Sequence, residues 1–303
     1  VLTSPWLLPA LRGLARGLHI AGSFSLFGTC LIAGFLLPAA CKPSLRRPLK
    51  ILAWASFALL IVAGLIWFIL QTADMSGATD LADIWAALPI VATSTRFGNL
   101  LIGRTAAAFL AILLFQCRLS KPAALVAGLA VIAEAWLGHG GAMTGAVGNL
   151  LLASSVCHLA SGGAWLGSLP ALRLSLQRLP IDDAAHIAKK FSPLGIACVI
   201  GLTASALLQY VFLIGKPRAL FDNGYGLVAL FKIVLFATLV GLAAINRQRL
   251  APALTAHGEH TRTRILRTVT AEITIGLAVL LAAGLLLQLT PPTMAIMLNQ
   301  QSN

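Results

Sequence analysis

Eight stretches of this chain are each about as long as a bilayer is thick and hold little but apolar side chains. They run at roughly residues 14–37, 49–70, 98–116, 122–139, 148–172, 191–214, 225–246 and 267–290, where a membrane-spanning helix needs about 20 mainly apolar residues. In hydrocarbon a backbone N–H or C=O finds no water, so only helices and closed barrels cross. Each stretch is longer than a barrel strand and none alternates with period two, which argues against a barrel. Composition agrees: 58% of the residues are hydrophobic, 10% are charged, and mean hydropathy is +0.90 over 303 residues, more apolar sequence than a soluble core uses. The expected fold is all-α: a polytopic integral membrane bundle of about eight transmembrane helices, one domain over residues 1–303, with the lipid bilayer as its first partner. Prolines punctuate the breaks, at Pro38, Pro43, Pro48, Pro122, Pro180, Pro217, Pro252, Pro291 and Pro292.

Basic residues resist translocation and collect on the cytoplasmic side of short loops. Fifteen of the 22 Lys and Arg fall after the first, third, fifth and seventh windows, from Lys42 to Lys50, at Arg118 and Lys121, from Arg173 to Lys190 and from Arg247 to Arg267. Both termini are therefore expected on the periplasmic side. The net charge of +13 is a topological signal rather than a nucleic-acid footprint. The longest outer connection, residues 71–97, carries Asp74, Asp80 and Asp83 with Trp85 and an apolar run from Ile84 to Val91, and reads as a helix lying on the interface. No small-residue cleavage site precedes the first window, which is expected to be kept. The five cysteines are scattered and form no CxxC pair, so they read as small buried hydrophobes.

Polar groups inside such windows need a partner or a task. His19, His139 and His158 lie in the outer halves of three different windows, and Met143 follows His139 by four residues. Imidazole and thioether together suit copper better than calcium or magnesium. The remaining histidines, His186, His257 and His260, stand among charges in cytoplasmic connections. On the fifth window His158, Gly162 and Trp165 fall near one face, with Gly167 beyond, and small residues let another backbone approach. Glu134, Lys232 and Glu272 are intramembrane charges. Glu134 suits either a supporting acceptor for a ligand histidine or a pair with Lys232 or Arg104, while Glu272 lies too deep to meet the outer histidines.

The run His158 to Leu169, HLASGGAWLGSL, resembles a His followed by WLGGL in the copper resistance protein D family (CopD, or PcoD) of bacterial inner membranes. Similar landmarks follow in order: Phe191 and Ser192, Tyr225 and Gly226 with Lys232, Asn246 and Arg247 with Pro252, Glu272 with Gly276, and Leu289 to Pro292. The likeness covers about residues 135–292 and reaches the first half only through His19 and the eight-helix organisation. Ser168 replaces a glycine common in the family, and the segment GLTASALLQY, Gly201 to Tyr210, departs from a frequent Thr-Gly pair.

This resemblance implies copper movement or handling at the inner membrane beside a periplasmic CopC-like copper-binding protein. It implies His158 as the first metal candidate, then His139 and His19, with Trp165 and Gly167 shaping the helix contact. The expectation is a permease and not an enzyme, carrying Cu(I) or Cu(II) from periplasm towards cytoplasm through a His/Met site. No GxxxxGK[ST] nucleotide site is present to drive it. Two alternatives stay open: a redox protein in which two of the outer histidines ligate b-type haem, and an assembly factor that holds copper without moving it.

Overall fold

The computed structural model describes residues 6–78, 80–138 and 145–294, and every element among them is helical. The helices are α1 (Leu7–Leu31), α2 (Lys42–Ser76), α3 (Leu81–Ser94), α4 (Arg96–Gln116), α5 (Ser120–Ile132), α6 (Gly145–Trp165), α7 (Leu169–Arg178), α8 (Ile181–Gln209), α9 (Gly224–Ile245) and α10 (Ala251–Leu286). A 3₁₀ turn, Ala133–Leu137, prolongs α5, another, Leu166–Ser168, joins α6 to α7, and π-helical turns close α1, α8 and α9.

Among the described residues, seven continuous helical stretches are long and apolar enough to cross a membrane. The last runs Gly224–Leu286, 63 residues, which at 1.5 Å per residue would reach ~95 Å if straight. It reverses at Gly258, whose φ of 52° and ψ of −129° are not helical, so that Asn246 Nδ2 donates to Glu272 Oε1 at 2.6 Å. That stretch therefore crosses twice, and eight crossings result among the described residues, in register with the eight apolar windows. The basic segment 247–267, expected as a loop, is instead helix on both sides of Gly258. Likewise Lys42–Lys50 forms the first turns of α2, with Pro43 in the opening turn where no N–H is needed. These helices outrun the hydrocarbon because their charged ends are free to project into water.

The chain's two described ends meet at one end of the bundle. There Arg12 pairs with Asp74 and its Nε donates to Gln288 Oε1 at 2.5 Å, while Arg16 Nη2 reaches the Leu137 carbonyl at 3.0 Å. At the opposite, basic end Arg262 Nη2 donates to the Leu179 carbonyl at 2.8 Å. α3 sits at the terminal end, its first N–H groups capped by the Asp80 side chain, which accepts from Asp83 N at 2.9 Å. At 14 residues it is too short to span; Ile84 and Val91 are buried while Leu81, Trp85 and Ile90 are exposed.

α1 is the most buried span, with α2, α5, α6 and α10 packed against it. Glycine makes this possible on several sides. A methyl on Gly284 of α10 would lie 2.0 Å from the Gly13 carbonyl oxygen, one on Gly22 would lie 2.7 Å from Leu60 N of α2, and one on Gly167 would lie 2.0 Å from the Phe24 carbonyl oxygen. Backbones touch backbones at these points, and close approach is how helices associate when lipid supplies no hydrophobic drive. Gly167→Ala should cost upwards of ~3 kcal/mol by forcing α1 and the 3₁₀ turn apart. Gly241→Ala, where a methyl meets nothing within 4 Å, should leave stability nearly unchanged. Thermal midpoints of the two variants in detergent check this; equal midpoints would contradict it.

Candidate functional site

A buried ion cluster lies near the terminal end. Glu134, 3% exposed, enters from the 3₁₀ turn after α5. Arg16 Nε of α1 donates to its Oε1 at 2.8 Å, with Arg16 Nη2 at 2.7 Å, and Arg104 Nη1 of α4 pairs with Oε2. Arg104 Nε also donates to the Ala130 carbonyl at 2.9 Å. Of the partners that the sequence leaves open for Glu134, the structure takes Arg104, adds Arg16, and leaves Lys232 out.

His19 follows Arg16 by one turn but faces α2. Its Nδ1 lies 2.9 Å from the Leu60 carbonyl oxygen. A carbonyl only accepts, so Nδ1 carries the proton, and a neutral ring then presents a lone pair at Nε2. That Nε2 is buried with no hydrogen-bond partner among the described residues. The ring is tilted against Trp67 at 5.6 Å between centroids, and the Arg16 guanidinium lies 4.9 Å from the Trp67 ring centre. Gly64 leaves the room: a methyl there would lie 2.8 Å from His19 Nδ1.

Beside this cluster a cavity of about 280 Å³ opens between α1, α6, α8, α9 and α10. Arg16 and Glu134 form one wall, His158 of α6 another, and Lys232 of α9 a third; Gln209, Tyr210 and Tyr225 add polar groups. His158 Nδ1 lies 2.9 Å from Ser205 Oγ of α8. Ser205 Oγ also lies 2.7 Å from the Gly201 carbonyl and 3.0 Å from the Leu202 carbonyl, so its single proton has two backbone acceptors besides the ring. With that proton on a carbonyl, Nδ1 is the donor to Ser205 and the Nε2 of a neutral ring keeps its lone pair; His158 itself lines the cavity. Ser154 Oγ in turn donates to the Ser205 carbonyl at 3.1 Å. Lys232 has no carboxylate within 4.0 Å among the described residues, so this cavity carries excess positive charge.

Gly162 brings α6 onto α1, where a methyl would lie 3.1 Å from the Phe24 ring. Trp165, 1% exposed, meets Phe236 edge to face at 6.3 Å. Glu272, towards the basic end, is 2% exposed and bonded to Asn246 as above. His139 and Met143 lie outside the described residues, although Gly138, just before His139, lines the cavity.

His158, Glu134, Lys232, Gly162 and Trp165 thus come to one cavity. His19 turns to α2 instead, so it and His158 do not face each other as a bis-imidazole pair would. Among the described residues there is no group of three or more His, Cys, Asp or Glu placed to hold a metal. Arg16 was readable as a buried charge, since it stands three residues before His19 inside the first apolar window. Ser205, Gln209 and Tyr210 belong to the segment that departs from the family pattern; only helix packing shows that Ser205 bonds His158 and that Gln209 and Tyr210 line the same cavity.

These features define a class: a polytopic α-helical membrane protein with a polar, histidine-bearing cavity inside the bundle. Residues 6–149 match the copper resistance protein D-like N-terminal domain and residues 185–286 match copper resistance protein D, so the chain belongs to the copper resistance protein D family. The first half, tied to that family by little in the sequence, has its own match, while the run from His158 to Leu169 falls between the two matched regions.

Copper resistance protein D of Pseudomonas syringae pv. tomato is 28% identical over 87% of each chain. Inner membrane protein YebZ of Escherichia coli K12 is 25% identical over 91% of this chain and 97% of its own. Copper transport protein CutJ of Bacillus subtilis strain 168 is 31% identical over 54% of this chain, which spans only 29% of that relative. No solved structure matches this chain at a comparable level. The chain's role is copper-related and exercised in a membrane.

Glu134→Gln would leave two buried guanidiniums facing a neutral amide. Breaking a buried pair in this way costs about 3–5 kcal/mol, expected as a clear drop in the detergent thermal midpoint; an unchanged midpoint would show that water already reaches the cluster.

Proposed function

We propose that this chain is an inner-membrane copper permease that admits copper from the periplasm into the cavity beside His158 and passes it towards the cytoplasm. The observation that carries this reading is the position of His158: Ser205 bonds its Nδ1, and the residue lines a cavity inside the bundle. The residues fit a copper ion as cargo. Imidazole is a good donor for copper, and a bond on the far ring nitrogen is how ligand histidines are oriented. The buried Nε2 of His19 is a second candidate donor, separate from the first. His139 and Met143 are proposed as further copper donors.

The same cavity argues for passage over storage. A path must bind its ion well enough to admit it and weakly enough to release it. One imidazole with Arg16 and Lys232 on the surrounding walls meets that condition, because like charges raise the energy of a resting cation. The family resemblance supplies the inward direction and a CopC-like periplasmic donor as partner.

Purified protein in proteoliposomes should take up copper with time. His158→Ala should abolish uptake while the protein still inserts, and Ser205→Ala, which frees the ring without removing it, should slow uptake by about 10-fold or more. Unchanged uptake in His158→Ala would overturn the permease reading, and copper bound without uptake by the unaltered protein would favour a copper-holding assembly role.

A further inference from the structure

A second cavity, of about 230 Å³, lies on the basic side of Trp165. It is walled by Phe191, Ser192 and Gly195 of α8, by Asn246 at the end of α9 and by Glu272 of α10. Among the described residues Trp165 alone lines both this cavity and the one beside His158. It follows His158 by seven residues, ~10 Å along a helix, and so stands between an outer and an inner compartment.

The surroundings of Trp165 hold its backbone and bury its ring. It is the last residue of α6, and the 3₁₀ turn that follows is pinned by Gly167 against Phe24 and by Gly28, where a methyl would lie 2.0 Å from the Gly167 carbonyl carbon. Opposite the indole stands Gly195, and even a methyl there would remain 4.0 Å from Trp165 Nε1. Phe236 supports the ring from the outer side.

The inner compartment has its own acceptor. Glu272 is 2% exposed, and no cationic side chain lies within 4.0 Å of it among the described residues. Asn246 Nδ2 donates to its Oε1, and Thr268 Oγ1 fixes that amide by donating to Asn246 Oδ1 at 2.5 Å. Arg247 lines the same cavity without pairing to Glu272, so this buried carboxyl has no ion partner of its own and an entering cation can serve as one.

We infer that the inner cavity is the second compartment of a cation path, with Glu272 as its acceptor and Trp165 as the partition between the compartments. This inference rests on the outer cavity being the copper entrance. A soft cation passed from imidazole nitrogen to carboxylate oxygen is held more weakly, which favours release at the inner end.

The partition is tested without copper, in the full chain with its five native cysteines replaced. Gly195→Cys reports the inner wall and Ala229→Cys the outer, each exposed to a membrane-impermeant thiol reagent from either face of sealed vesicles. Each is expected to react from its own side only. Adding Trp165→Ala should let Gly195→Cys react from both sides, and adding Trp165→Phe should preserve the sidedness; reaction of Ala229→Cys in the same proteins reports that they remain folded. Gly195→Cys reacting from the outer side with Trp165 in place, or staying one-sided in a folded Trp165→Ala protein, overturns the partition.

For the acceptor, Glu272→Gln should lower copper uptake into proteoliposomes by about tenfold and leave copper binding in detergent intact. Unchanged uptake overturns the role of Glu272. If the unaltered protein binds copper without carrying it, the entrance reading fails and takes the acceptor with it, a result visible independently of the labelling.

Discussion

Everything in this bundle depends on how closely other backbones can come to α1. Lipid tails are as apolar as the side chains they replace, so helices in a bilayer gain little from burying leucine against leucine. What holds them is contact, and the contacts here are made at glycines: Gly13 on Gly284, Gly22 on Leu60, Gly28 on Gly167. The Gly28–Gly167 contact also fixes the chain just after Trp165. One steric condition thereby positions α6, and with it both His158 and the wall between the two cavities.

The buried charges follow a second rule, that an ion in hydrocarbon must find its partner from another helix. Arg16, Arg104 and Glu134 come from three segments far apart in sequence and close on one another beside the outer cavity. That arrangement ties α1 and α4 to the turn after α5, and it leaves one positive charge in excess. Lys232 adds another on the cavity wall. A cation entering such a space meets a donor nitrogen and a repulsive field together, a combination suited to transit. At the far side of Trp165, Glu272 puts a carboxyl group on the wall of the inner cavity, which Arg247 also lines.

Much of this architecture was legible from the residues. Apolar windows of bilayer length gave eight crossings, and alternation of basic loops placed both termini at one end, where Arg12 and Gln288 now meet. The short helix between residues 71 and 97 was legible from its apolar run. Charged helix ends were not: segments 42–50 and 247–267 looked like loops because charge rules out hydrocarbon, yet it does not rule out helix. The candidate site was partly legible. A histidine, a glutamate and a lysine inside apolar windows declared themselves, and the family likeness singled out His158. The bond that orients His158 was hidden, because its partner Ser205 stands on another helix.

The sequence by itself determined that this chain lives in a bilayer, how many times it crosses, and which polar residues are trapped inside. Length and hydropathy are local properties, and the bilayer acts on each segment separately. Only the tertiary structure decided which of those residues meet. Spacing places His19 and His158 at comparable depth, but the rotation of each helix about its own axis, set by glycine contacts with its neighbours, turns one imidazole towards α2 and the other into a cavity. The same rotations put Trp165 between two compartments, a relation that no local stretch of sequence encodes.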